Sequence, residues 1–134
     1  MTRARLTMFL AASVFAVGCA TVPAPADPSR SSSEVGMASF YGAAHEGQRT
    51  ASGGRYHPDR LTAAHPTLPF GSRVRVTNLD NGRSVIVTIN DRGPFRKGRI
   101  IDVSKRAARR LGFVRQGTAR VRVEPLSEAA DARR

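Results

Sequence analysis

A mostly β fold, a small barrel carrying one short helix, is what this 134-residue chain predicts. Three observations carry that expectation: two alternating strand patterns joined by an Asn-Gly turn, a third such pattern near the C-terminus, and a single segment with helix start and stop signals. Gly36 to Tyr41 reads as the opening strand. Arg73-Val74-Arg75-Val76-Thr77 then alternates strictly, placing valine inward and arginine or threonine outward, as a half-buried strand requires. Ser84 to Ile89 follows with Val85, Val87 and Ile89 on one face, and Asp80-Asn81-Gly82 between them supplies residues that tolerate positive φ, so the two strands form a hairpin. Lys105 to Leu111 is the helix: Ser104 suits its N-cap, Gly112 the left-handed position past its end, and Arg109 and Arg110 its negative pole. Ala119 to Val123 repeats the strand alternation. Strands, a helix and a further strand in so short a chain imply that the chain closes on itself. Alternation leaves the strand order open.

Five motifs recur in order across the middle of the chain: Ser39-Phe40-Tyr41-Gly42, Arg49-Thr50-Ala51-Ser52-Gly53, Leu61-Thr62-Ala63-Ala64-His65, Val74 to Leu79, and Asn90-Asp91-Arg92-Gly93-Pro94-Phe95. Together they resemble the rare lipoprotein A family, bacterial cell-wall proteins that include septal lytic transglycosylases. The resemblance implies a six-stranded double-psi β-barrel filled by Val74, Val76, Val85, Val87, Ile89, Ile101, Leu111, Val121 and Val123. It also implies peptidoglycan glycan strands as substrate, cut between MurNAc and GlcNAc to leave 1,6-anhydroMurNAc ends, with no cofactor.

The start of the chain reads as an export signal. Arg3 and Arg5 precede an apolar run from Leu6 to Val17, too short for a membrane span, which needs roughly 20 residues. Ala16-Val17-Gly18-Cys19 resembles a lipoprotein processing site, with Ala16 where leucine is usual, so Cys19 is expected to be lipidated and to anchor the protein to a membrane. Ala20 rather than aspartate after the cysteine leans the location toward the outer membrane, facing the periplasm. Residues 1–18 are thus expected as signal, 19–33 as a Pro-, Ala- and Ser-rich disordered tether, 34–126 as the barrel, and 127–134 as a polar tail. One cysteine rules out an internal disulfide and a cysteine-based zinc cluster.

The formal charge is +12, and +10 once Arg3 and Arg5 leave with the signal, 20 basic residues then facing 10 acidic ones. In an exported domain without an aromatic stacking platform, this charge points away from nucleic acid and toward anionic wall polymers, with attraction that weakens in salt. An edge of Arg73, Arg75, Arg120 and Arg122 is expected to face them.

Chemistry concentrates at two residues. Breaking a glycosidic bond needs a proton on the leaving oxygen, and usually a second group at the anomeric carbon. In a lytic transglycosylase, as the resemblance implies, the 6-hydroxyl of muramic acid attacks instead, so one acid that turns base suffices. Asp91, at the end of a buried strand, is the expected acid/base. Aspartate ordinarily loses its proton near pH 3.9, so an acid role near neutrality requires burial or a like-charged neighbour. Arg92 would be sent to the opposite side by strand alternation. His65 matches the family's cleft histidine and is expected to assist or to bind sugar, in one groove with Asp91. Tyr41, Thr62 and Arg92 are the expected glycan contacts. No metal is expected, because His45, His57 and His65 lack paired-ligand spacing.

Two departures set limits on the resemblance. Active members typically carry a glutamate directly after the Ala-Ser-Gly motif and an aspartate three residues later, where this chain has Gly54 and His57. Glu46 and Asp59 are the nearby carboxylates that might stand in. Septal members also carry a C-terminal peptidoglycan-binding repeat domain, which is not expected here. An enzyme and a non-catalytic glycan-gripping barrel, as in related plant wall-loosening proteins, are therefore the two readings that the sequence leaves.

Overall fold

The computed structural model describes residues 32–126, together with residues 13, 16, 18 and 20. Cys19, the rest of the leader and tether through residue 31, and the tail 127–134 lie outside the described residues.

Six strands close into a barrel: β1 (Glu34–Phe40), β2 (Thr62–Ala64), β3 (Arg73–Asn78), β4 (Ser84–Asp91), β5 (Arg99–Val103) and β6 (Thr118–Pro125). Around the barrel they run β1-β5-β2-β4-β3-β6 and back to β1. Two contacts are parallel, β1 with β5 and β2 with β4, and the other four are antiparallel. This is the double-psi barrel that the motifs implied. A short 3-10 turn spans Ala43–His45, and α1 (Lys105–Leu111) packs against β4 and β1.

All nine expected core side chains are buried, joined by Ala38, Ala63, Val103, Ala107, Ala108, Phe113 and Ala119. β3 and β4 pair in register, Val74 opposite Val87 and Val76 opposite Val85, so both send valine inward at every second residue. The hairpin loop uses the tolerance for positive φ at one residue. Only Gly82 has positive φ, +75°, and Asn78 pairs with Arg83 through its N–H at 2.7 Å. Asn81 instead folds its side chain inward: its Nδ2 donates to the carbonyl of Leu111 at 2.9 Å, and its Oδ1 accepts from the Arg83 N–H.

That carbonyl is the anchor of the helix end. Asn78, buried in a strand otherwise lined with valine, donates to it as well at 2.9 Å. A helix's last carbonyls have no partner within the helix, so two amides from the hairpin satisfy one that would otherwise be buried unpaired. Ser104 caps the other end by accepting from Ala107 N–H, and Gly112 takes the left-handed position at φ +75°. A Cβ at Gly112 would lie 2.9 Å from Arg83 and 3.0 Å from Asn81, so the hairpin also fills the space that glycine leaves.

Candidate active site

The site is built at the end of β4, where its pairing with β2 slips by one residue. Ala63 lies opposite Ile89, but Ala64 lies opposite Asp91, so Asn90 is bulged out of the ladder. Such bulges re-aim side chains and free backbone groups. The freed carbonyl of Asn90 accepts from Ser52 N–H at 3.3 Å, and Asp91 Oδ1 accepts from Ala51 N–H at 2.8 Å. These two bonds dock the turn from Thr50 to Gly54 onto the strand end. The turn itself closes through Thr50 N–H to the Gly54 carbonyl at 2.8 Å and Gly53 N–H to the Thr50 carbonyl at 3.0 Å.

Asp91 has two further donors. Tyr41, just past β1, donates its hydroxyl to Oδ2 at 2.8 Å, and Arg92 N–H reaches Oδ1 at 2.9 Å. Burial, followed by the hydrogen bond and charge of Asp91, pushes the Tyr41 phenol far above the ordinary tyrosine range, so it remains a donor. Its ring packs against Tyr56 with centroids 4.5 Å apart. Burial raises the Tyr56 phenol as well, partly opposed by the Lys105 N–H that its oxygen accepts. Both rings line a cleft of about 190 Å³, and Glu46 and Asp59 line it with them. Asp59 and Glu46 therefore sit around Tyr41, while Asp91 is reached through its hydroxyl.

His65 follows β2, and its N–H donates to the Asp91 carbonyl at 3.2 Å. The two backbones meet, but the side chains turn to different partners, so the expected single groove is not formed by their reactive atoms. The imidazole, 5% exposed, accepts Thr67 N–H and Leu68 N–H at Nδ1, both at 3.1 Å. Two donors on Nδ1 require its lone pair, which places the neutral ring's proton on Nε2. Nε2 faces Glu34 Oε2 at 3.1 Å in a second cleft of about 310 Å³, lined by Glu34, Thr67, Leu68 and the end of β6.

The remaining expected contacts divide. Arg92 points away from the Asp91 carboxylate, as alternation required: its Nη1 donates to the carbonyls of His65 and Leu68 at 3.2 and 2.7 Å, and its guanidinium lies 4.0 Å above the Phe70 ring. It holds the 65–70 loop. Thr62 lies on β2 with a buried hydroxyl oxygen that has no partner among the described residues. Gly54 is exposed within the docked turn, and a Cβ there would meet only Thr50 Oγ1, at 3.8 Å. His57 is exposed beyond it.

Sequence reasoning did not single out Glu34, Ala51 or Tyr56. Glu34 opens β1 some thirty residues from His65, and no local pattern links them. Ala51 acts through its backbone, which carries no signal in residue type. The Tyr56 ring was discoverable as an aromatic residue just past the Ala-Ser-Gly motif.

Comparison with known proteins agrees with this architecture. Residues 33–123 match the family described as lytic transglycolase. The chain is 58% identical over 93 residues to the endolytic peptidoglycan transglycosylase RlpA of Neisseria meningitidis serogroup A, covering 69% of this chain and 39% of that protein. It is 56% identical over 102 residues to the protein of the same name in Pseudomonas aeruginosa, covering 76% of this chain and 30% of that one. The chain thus spans well under half the length of these relatives. Among solved structures, Streptomyces papain inhibitor superposes with a TM-score of 0.58 at 21% identity, over 71% of this chain and 94% of that one. An expansin from Clavibacter michiganensis superposes at 0.57 with 19% identity, over 72% and 51%. Those two likenesses are of fold, and both neighbours are double-psi barrels. On the family match over residues 33–123 and the identity to RlpA proteins, this chain belongs to the lytic transglycolase family.

Proposed function

We propose that the barrel is a peptidoglycan lytic transglycosylase domain that cuts the MurNAc–GlcNAc bond with Asp91 as acid and then base. The observation that carries this reading is the Asp91 carboxylate, held at the end of β4 between the Tyr41 hydroxyl and the docked Thr50–Gly54 turn. In the reaction, the protonated carboxyl gives its proton to the glycosidic oxygen as the bond from C1 of MurNAc breaks, and GlcNAc leaves with a 4-hydroxyl. The C6 hydroxyl oxygen of the same MurNAc bonds to C1, and its proton passes to Asp91, which restores the acid. A hydroxyl both donates and accepts, so Tyr41 can partner Asp91 in either state. His65, its Nδ1 held by backbone, keeps Nε2–H on Glu34 in the second cleft, so a sugar oxygen would bind there by taking that partner's place. Arg92 contributes by holding the 65–70 loop, and Thr62, its hydroxyl buried, through its place on β2 rather than by a direct contact with glycan.

The relatives' printed function supports this reading, and so do the retained Asp91 and His65. The family's usual acid position, as the resemblance implies it, falls within the turn that Asp91 holds. Gly54 at that position favours a second reading, a barrel that binds glycan without cutting it. Full-length protein incubated with isolated sacculi distinguishes them. Soluble 1,6-anhydroMurNAc ends detected by mass spectrometry support the enzyme. Co-sedimentation with sacculi and no such ends support the binding barrel.

The export reading belongs to the same proposal. Acylation of Cys19 would tether the domain to a membrane, outer by the Ala20 criterion, within reach of the wall. A fatty-acid probe should label the wild type and leave Cys19→Ala unlabelled; equal labelling overturns it. Binding to sacculi should weaken with salt, since Arg73, Arg120 and Arg122 are exposed on β3 and β6 and surface attraction is screened beyond about 8 Å at physiological ionic strength.

A further inference from the structure

Among the large apolar side chains at the surface, Phe95 stands apart: it is 83% exposed, while Phe70 and Val35, the next most open, are 43% exposed. It takes no part in the core cluster. Among the described residues its ring pairs with no other aromatic ring and no cation. A lone apolar side chain at a surface is ordinary. This one differs in where it stands and in how firmly it is held.

Phe95 follows Asp91 by four residues, so the chain between them spans at most about 14 Å. Gly93 and Pro94, which lie in that stretch, are buried. A Cβ added at Gly93 would lie 3.7 and 3.9 Å from two carbons of the Phe95 ring, so the ring rests over this glycine, two residues from the carboxylate. Past the ring the loop is tied down. Arg99 N–H donates to the Arg96 carbonyl at 3.1 Å, and Met37 N–H donates to the Gly98 carbonyl at 2.9 Å. Ahead of it, Arg92 is fixed on the carbonyls of His65 and Leu68. The ring is thus open to solvent on a base that is buried before it and hydrogen-bonded after it. A flat apolar surface beside a carboxylate at a strand end suits one face of a pyranose, whose axial C–H groups meet the electron-rich ring face.

We propose that Phe95 is a glycan-stacking residue: its ring receives the face of a sugar next to the one at Asp91 and holds the strand in register with that carboxylate. The proposal rests on the transglycosylase reading for its choice of polymer and deepens it by naming a binding residue on the loop between β4 and β5. Stacking is apolar, so its contribution should persist in salt, unlike the attraction of the exposed arginines on β3 and β6. Arg96 and Lys97 are exposed in the same loop, so salt dependence separates the share of the ring from theirs.

The test uses the full chain carrying Asp91→Asn, which on the transglycosylase reading binds without cutting, and peptide-free glycan strands prepared from sacculi. Isothermal titration at low and at high salt should show Phe95→Ala weakening binding about tenfold in both, as truncating an aromatic anchor does. Phe95→Leu, apolar but without a ring face, should weaken it nearly as much, and Phe95→Tyr should bind as the parent does. The chain contains no tryptophan, so Phe95→Trp places a single indole at this position. Its emission should shift to the blue as glycan is added, a change that a purely structural role would not produce. Melting curves confirm that each variant is folded. Full affinity in Phe95→Ala, an indole emission unmoved by saturating glycan, or no glycan binding by the parent overturns the proposal. In parallel, the chain with Asp91 intact is scored for release of 1,6-anhydroMurNAc ends from sacculi. Glycan binding that needs the ring, without release, would leave this inference standing and remove the transglycosylase reading; release without a need for the ring would do the reverse.

Discussion

Asp91 and His65 sit on neighbouring parallel strands with their backbones hydrogen-bonded, yet their side chains are held by contrasting means. The imidazole is nearly sealed and fixed through Nδ1 by two backbone N–H groups, which leaves one nitrogen with one role. The Asp91 carboxylate is half-buried, and one of its three donors is a side-chain hydroxyl at the edge of a cleft, a partner that can rotate or yield to a ligand. On the proposed function, the difference separates a positioned residue from a reactive one. Backbone donors define orientation and cannot change protonation; a phenol hydroxyl can follow its partner through a proton transfer. The one-residue slip at Asn90 makes both arrangements available at one strand end.

The comparison can be sharpened first by adding the acid that the family resemblance implies at position 54. Gly54→Glu adds a carboxyl to the turn that Asp91 docks, and the added Cβ has ordinary contact distance to Thr50. A positioned general acid contributes about 10²–10⁴-fold, so anhydro-product release should rise toward that range while the melting temperature stays close to wild type. No rise in a folded variant would mean that the docked turn is not part of the reacting site.

Breaking the other half should act on stability. His65→Ala removes a buried side chain that accepts both Thr67 and Leu68 N–H, and each such hydrogen bond contributes about 0.5–1.5 kcal/mol. Urea unfolding should show a loss of at least about 2 kcal/mol. His65→Asn, whose carbonyl oxygen can accept from an N–H two residues on, should recover part of it. Unchanged stability in His65→Ala would show that the clamp on Nδ1 is not holding the loop.

The smallest effect concerns Tyr41. Its phenol titrates above the unfolded value, near 10, so the folded chain keeps a proton that the unfolded chain loses. Linkage then gives stability that is fully present below about pH 10 and declines as pH rises through and above that value. Tyr41→Phe should lose about 1 kcal/mol at neutral pH, for the hydrogen bond, and show a shallower decline above pH 10. An alkaline slope identical to wild type would place the titration elsewhere.

Much of the barrel was legible because it obeys period two. β3, β4 and β6 each carry valine at alternate positions, and α1 has residue-specific signals at both ends. β2 and β5 escape that reading for physical reasons. Thr62-Ala63-Ala64 is too short to show a period, and Arg99-Ile100-Ile101-Asp102-Val103 places two isoleucines together with Ile100 half-buried. Their presence followed only from the resemblance, which supplied six strands and put Ile101 in the core. The hairpin was found with its turn at Asp80-Asn81-Gly82; of the residues that tolerate positive φ only Gly82 uses it, while Asn81 spends its side chain on Leu111. At the site, Asp91 and Tyr41 were named separately and their hydrogen bond joins them, whereas Ala51 and Glu34 act across the fold where no spacing in the chain records it.

Asp91→Asn is the most direct test of the central claim, that this carboxylate transfers the proton. The substitution keeps an oxygen that can accept Ala51 N–H and nearly the same shape, so the turn should remain docked and the variant should co-sediment with sacculi as wild type does. Release of 1,6-anhydroMurNAc ends, followed by mass spectrometry over a time course beside the wild type, is predicted to fall by about 10²–10⁴-fold. Release by folded Asp91→Asn at the wild-type rate would contradict the account.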